Sequence, residues 1–127
     1  MRKEKGTALV EFALILPVFL ILLFGLIDFG RIFHAYLTID HAGREGARVA
    51  SVQSEDSEIT SAITNAASSL NGFGNGNITI SPAGEANRSS GSEVQVTLTY
   101  EIGFTTPFVE ALASPITLTD TTIMRVE

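Results

Sequence analysis

Residues 12–27, FALILPVFLILLFGLI, run for sixteen positions without a charge, and TALV precedes them across the single acid Glu11. As a helix rising 1.5 Å per residue, the stretch 7–27 would be about 31 Å long, the thickness of a bilayer's hydrocarbon core. A helix that is apolar all round needs lipid, or a large protein core, on every side. At 127 residues the chain has room for one modest domain and too little surface elsewhere to cover such a helix. A cleaved secretory signal is the other competitor, because a basic start leads into the apolar run. The run exceeds the roughly 7 to 15 residues usual for that signal, and LIDFGRIFHAYL after it holds no clear small-x-small cleavage site. The stretch therefore reads as a single membrane span.

The charge is distributed around that span. Arg2, Lys3 and Lys5, opposed by Glu4, leave the first six residues at about +2, and no lysine follows Lys5. From Ser51 onward only Arg88 and Arg125 oppose nine acids. The positive-inside bias then holds the N-terminus in the cytoplasm and sends the acidic part across. A net charge of -6 argues against nucleic acid as a partner, since phosphates need clustered lysine and arginine. The absence of cysteine excludes disulfides, thiolate metal sites and a cysteine nucleophile.

An acid inside an apolar span costs on the order of 2.5 to 3.5 kcal/mol on the lenient insertion scale. Glu11 thus either lies close enough to the cytoplasmic interface to stay hydrated or serves a purpose. Its setting is a basic stub, Gly6, Thr7-Ala8-Leu9-Val10-Glu11-Phe12 and the apolar run. This resembles the prepilin leader of the type IV pilin superfamily, in which a prepilin peptidase cuts after a glycine and a glutamate stands fifth in the mature chain. Cutting between Gly6 and Thr7 makes Glu11 fifth, and an aromatic in sixth place, here Phe12, is the mark of the Flp (type IVb) branch.

Two later motifs extend the resemblance to the TadE-like minor pseudopilins of tight-adherence (Tad) pilus systems. They are Asp28-Phe29-Gly30-Arg31 and Ala42-Gly43-Arg44-Glu45-Gly46-Ala47-Arg48, in the family's order, with Pro17 inside the apolar stretch. Alanine is commoner where Gly43 stands, a departure expected to cost only local helix stability. The resemblance implies a substrate of the peptidase rather than an enzyme, working in Flp pilus assembly and adhesion. Its implied partners are the membrane, the prepilin peptidase, other pilin or pseudopilin subunits and the assembly platform. The implied place is the bacterial cytoplasmic (inner) membrane, single-pass, with the C-terminal part extracytoplasmic and possible association with the pilus itself. It also implies that Glu11 pairs with the Thr7 ammonium of a neighbouring subunit and sets the register, Phe12 beside it. An uncleaved tether carrying a binding module is the alternative.

Pro17 removes one backbone hydrogen bond and is expected to bend the span. Pro17, Gly25 and Gly30 suit helix bundling, and equally they are ordinary membrane-helix residues. Beyond Arg31 the pattern turns amphipathic, with Ile32, Phe33, Tyr36, Leu37, Ile39 and Val49 as its apolar face, so one helix is expected over 7–50. Glu45 and Arg48 stand one turn apart and can pair. His34 and His41 share a face, but no carboxylate stands at metal spacing between them, and no metal site is expected.

The remainder predicts an α+β arrangement. The stretch from Ser54 to Ser57 offers N-caps to a second helix of about 14 residues, in which Ile59, Ile63, Ala66, Ala67 and Leu70 recur at helical spacing. The Gly- and Asn-rich stretch 71–77 ends it. A short strand is expected at 78–80 and a polar loop at 82–92. Residues 93–104 alternate Val94, Val96, Leu98, Tyr100 and Ile102 with polar neighbours, a strand with one buried face. A helical turn at 107–114 and a threonine-rich strand at 116–126 complete an antiparallel sheet of about three strands packed on the helices. The expected organisation is a leader at 1–6, a transmembrane and amphipathic stem at 7–50, and an acidic extracytoplasmic domain at 51–127. No P-loop, nucleophile elbow or HExxH helix occurs, so no catalytic residue and no cofactor are assigned.

Overall fold

A computed structural model describes residues 2–127. Helix α1 spans Arg2–Ser51, so the basic stub is helical with the rest. Pro17 lies inside it. Its most apolar 18-residue window has a mean hydropathy of 2.7, and none of that window is buried. This disposes of the core-helix reading, because the greasiest stretch packs on no protein core. The helix is long and apolar enough to cross a membrane.

The chain divides into two compact units. The first joins residues 2–32 to Gly103–Pro115. Its second element is the short helix α2, Pro107–Leu112. Thr106 stands at the N-cap position and proline at the first helical residue, where the missing N–H is no loss.

The second unit comprises Phe33–Ile102 and Ile116–Glu127. It holds the outer part of α1, helix α3 at Asp56–Ala66, and strands β1 (Ile78–Ser81), β2 (Glu93–Ile102) and β3 (Ile116–Arg125). The sheet order is β1-β2-β3 and both pairings are antiparallel, with Ile78 opposite Leu98 and Thr122 opposite Val96. The α+β architecture with three antiparallel strands is thus as expected. Val94, Val96, Leu98 and Ile102 of β2 are buried, and Ile59 and Ile63 of α3 join them.

Three local expectations need correction. Helix α3 has 11 residues rather than about 14, ending at Ala66, and Ala67 and Leu70 are buried beyond its end. Its N-cap, Glu55, lies within the expected stretch 54–57 but makes no side-chain cap, and the Ser57 hydroxyl donates to the Glu55 carboxylate. Tyr100 is only half-buried, because its hydroxyl reaches out to donate to the Asn71 carbonyl at 2.9 Å.

The packed face of the outer α1 also differs from the expected one. Ala35, Ile39, Ala42, Ala47 and Ala50 are buried, whereas Phe33, Tyr36 and Leu37 are exposed. Close packing selects small residues there. A methyl on Gly46 would overlap the side chain of the fully buried Ile63. A methyl on Gly43 would meet the Asp120 carboxylate and crowd the Thr122 hydroxyl. Gly43 therefore has a packing role, beyond the helix-stability cost expected of it.

Candidate functional site

The residues singled out along α1 fall into three groups. Gly6, Thr7, Glu11 and Phe12 form the first, all exposed on the helix. Space around Gly6 is open, and the Thr7 hydroxyl donates to the Lys3 carbonyl at 3.0 Å. Among the described residues no hydrogen bond or ion pair joins Glu11 to another side chain. Phe12 is exposed as well.

The second group is Asp28, Gly30 and Arg31. Asp28 is buried, and its carboxylate accepts from the backbone N–H of Thr105 at 2.7 Å, the N–H of Thr106 at 2.9 Å and the Thr106 hydroxyl at 2.6 Å. Arg31 donates to the same carboxylate at 3.2 Å. It also donates to the Gly103 carbonyl at 3.3 Å and to the Thr105 hydroxyl. The two charged residues of the motif thus grip one loop, 103–106, and set the start of α2. Satisfied this way, a buried carboxylate costs far less than a bare one. Space beside Gly30 is open to a methyl.

The Asp28-Phe29-Gly30-Arg31 motif sets the two charges one helical turn apart, and nothing in that spacing tells what they hold. The signal was present in Thr105-Thr106-Pro107, a hydroxyl residue followed by proline, which opens a helix. The Thr106 hydroxyl, however, goes to Asp28 rather than to its own helix.

The third group is Arg44, Glu45, Gly46 and Arg48. Small residues of this stretch face inward, and its arginines face out. Arg48 pairs with Glu45, and Arg44 with Asp40 at 2.9 Å. Exposed as they are, such pairs are screened by water and add little to stability. The motif therefore combines a close-packing face, Ala42, Gly43, Gly46 and Ala47, with a solvated charged one.

A further charged pair lies in the second unit and was not foreseen. Arg88 is fully buried. It donates to the Asp56 carboxylate at 2.6 Å and to the carbonyls of Ser54 and Pro82 at 2.6 and 3.0 Å. Its Nε has no partner. The Gly84 N–H also donates to Asp56, at 2.9 Å. Burial opposes ionisation of Asp56, but the Gly84 N–H and Arg88 outweigh it and hold its carboxyl below the usual range. Among the described residues no group of three or more histidines and acids is placed to hold a metal ion.

Comparison with family models gives one match, to the family described as TadE-like protein, over residues 6–48. The match begins at Gly6 and ends at Arg48, so it includes all three groups. Over those residues it supports a Tad pilus-associated, minor pilin-like role, and α1 is the one helix among the described residues long and apolar enough to cross a membrane. No curated protein and no solved structure matches the chain.

Proposed function

We propose that this TadE-like chain is a pseudopilin, processed by a prepilin peptidase between Gly6 and Thr7 and taking part in assembly of a Flp-type pilus used for adhesion. The observation that carries the reading is the position of Glu11, an exposed acid with no partner among the described residues of its own chain, on an apolar helix packed against no protein core. In lipid that carboxylate needs an opposite charge, and the new Thr7 ammonium of a neighbouring subunit supplies one. Phe12 lies next to the contact.

In this reading residues 1–6 stay cytoplasmic, 7–50 form the stem, and 51–127 are displayed outside the inner membrane. The basic stub supports that orientation. Pro17 bends the stem where neighbouring helices close around it. The assembly platform and other pilin-like subunits are the partners. The chain acts as a substrate and structural subunit, not as an enzyme.

The test is the intact mass and N-terminal sequence of membrane-extracted protein, made with and without the cognate peptidase. A chain starting at Thr7 only when the peptidase is present is the expected result. A full-length chain in both cases would overturn the reading in favour of an uncleaved tether. Glu11→Ala is expected to leave insertion and cleavage intact while lowering incorporation into the assembly, read by co-purification with the other subunits.

A further inference from the structure

Segment 103–115 reaches back along the membrane stem. Helix α2 and the inner part of α1 share an apolar cleft of about 350 Å³, lined by Leu16, Pro17, Leu20 and Phe24 from α1 and by Pro107 and Phe108. At 1.5 Å per residue, Phe24 and Leu16 lie about 5 and 16 Å along the helix from Ile27, the outer end of the apolar run. If α1 spans the membrane, α2 therefore sits at hydrocarbon depth.

The composition of the segment fits that depth. Glu110 is its only charged residue. Phe108 is 72% exposed although it borders the cleft, and Leu112 is 88% exposed, so most of the surface of both apolar side chains is left open. Backbone at such depth must have its polar groups satisfied without water. The protein meets part of this need: the N–H groups of Thr105 and Thr106 go to Asp28, the Gly103 carbonyl to Arg31, and the N–H groups of Glu110 and Ala113 to the carbonyls of Thr106 and Val109, while the first turn of α2 carries no side-chain cap.

We propose that 103–115 is a second membrane contact, a re-entrant strap in which Phe108 and Leu112 insert among lipid acyl chains while the Asp28 and Arg31 grip holds it against the stem. The inference goes beyond pilus assembly but rests on α1 lying in the bilayer, and its test separates the two.

The chain contains no tryptophan, so a single introduced one is an unambiguous reporter. Three full-length variants, Phe108→Trp, Leu22→Trp and Ile123→Trp, are reconstituted at low protein-to-lipid ratio in phosphatidylcholine vesicles with and without brominated acyl chains. Leu22 is an exposed residue of the span, and Ile123 an exposed residue of β3. The expected result is a blue-shifted emission quenched by brominated lipid for Phe108→Trp, as for Leu22→Trp, with Ile123→Trp unquenched. Quenching of Leu22→Trp alone would overturn the strap and leave the membrane stem standing. A blue-shifted but unquenched Phe108→Trp signal that grows with protein-to-lipid ratio would overturn it in favour of a second copy of the chain. Failure of Leu22→Trp to be quenched would overturn both.

Discussion

Each unit contains an ion pair with one buried member, and the two are opposite in kind. In the first, the acid is buried and the base is not: the Asp28 side chain is 5% exposed and that of Arg31 46%. In the second, the base is buried and the acid is not: Arg88 is 0% exposed and Asp56 39%. Asp28 has three donors besides its arginine, all from Thr105 and Thr106. Arg88 has only two neutral carbonyls besides its acid, and an orphaned Nε. A buried charge surrounded by neutral partners survives loss of its counter-ion; one that leans on the counter-ion does not.

The largest expected effect comes from the second case. Asp56→Ala strands the Arg88 guanidinium and should cost about 3 kcal/mol in thermal or denaturant unfolding. Arg88→Met, which removes the charge and keeps most of the volume, should cost less. The reverse order would show that the carbonyl contacts, not the charge, dominate.

In the first unit, Asp28→Ala should cost about 2 to 3 kcal/mol, by leaving the Thr105 and Thr106 N–H groups unpaired. The readout is faster hydrogen exchange at those two amides. Arg31→Ala, with three donors still on Asp28, should cost about 1 kcal/mol or less at the same amides. Equal losses for the two variants would break the contrast between the units.

The motif glycines give a finer comparison. Gly46→Ala should destabilise by about 1 to 2 kcal/mol, since the overlap with Ile63 exceeds the gain in helix propensity. Gly30→Ala, with open space around it, should be neutral or stabilising by up to about 1 kcal/mol in the isolated chain. Melting temperatures of the two variants decide between packing and propensity.

The smallest effect is in the pH profile. Asp56 is held below its ordinary 3.8, so its contribution to stability is complete above that value and is lost as pH falls through the lower folded one. Asp120 is the opposite. Burial and the neighbouring Asp40 carboxylate push its pKa above 3.8, against the Thr122 hydroxyl and Arg44. Its contribution is complete below 3.8 and is lost as pH rises through the folded value. Melting curves from pH 3 to 7 should therefore show Asp56→Ala flattening the acid side, while Asp120→Asn is no less stable than the parent at neutral pH.

The membrane span, the strand alternation in β2 and the three-strand sheet were legible because each repeats one simple pattern over many residues. The inward face of the outer α1 was not. Large apolar residues such as Phe33, Tyr36 and Leu37 dominate the hydropathy pattern there, yet the sheet and α3 pack closely enough to select Ala42, Gly46 and Ala47. The Asp28 contacts to Thr105 and Thr106 were hidden for a different reason. They join positions 77 and 78 residues apart, and no local periodicity reports on such a pairing.

The sequence by itself determined the apolar span, the basic stub that precedes it, the motifs that match a TadE-like stem and the α+β class of the C-terminal part. These depend on composition and short-range spacing, which water and lipid read directly. Only the tertiary structure decided that Asp28 and Arg31 hold a distant loop, that Gly43 and Gly46 make room for neighbours, and that Arg88 is buried. Each of those depends on which groups meet across the fold, where a buried charge must find its partners and a methyl must find space.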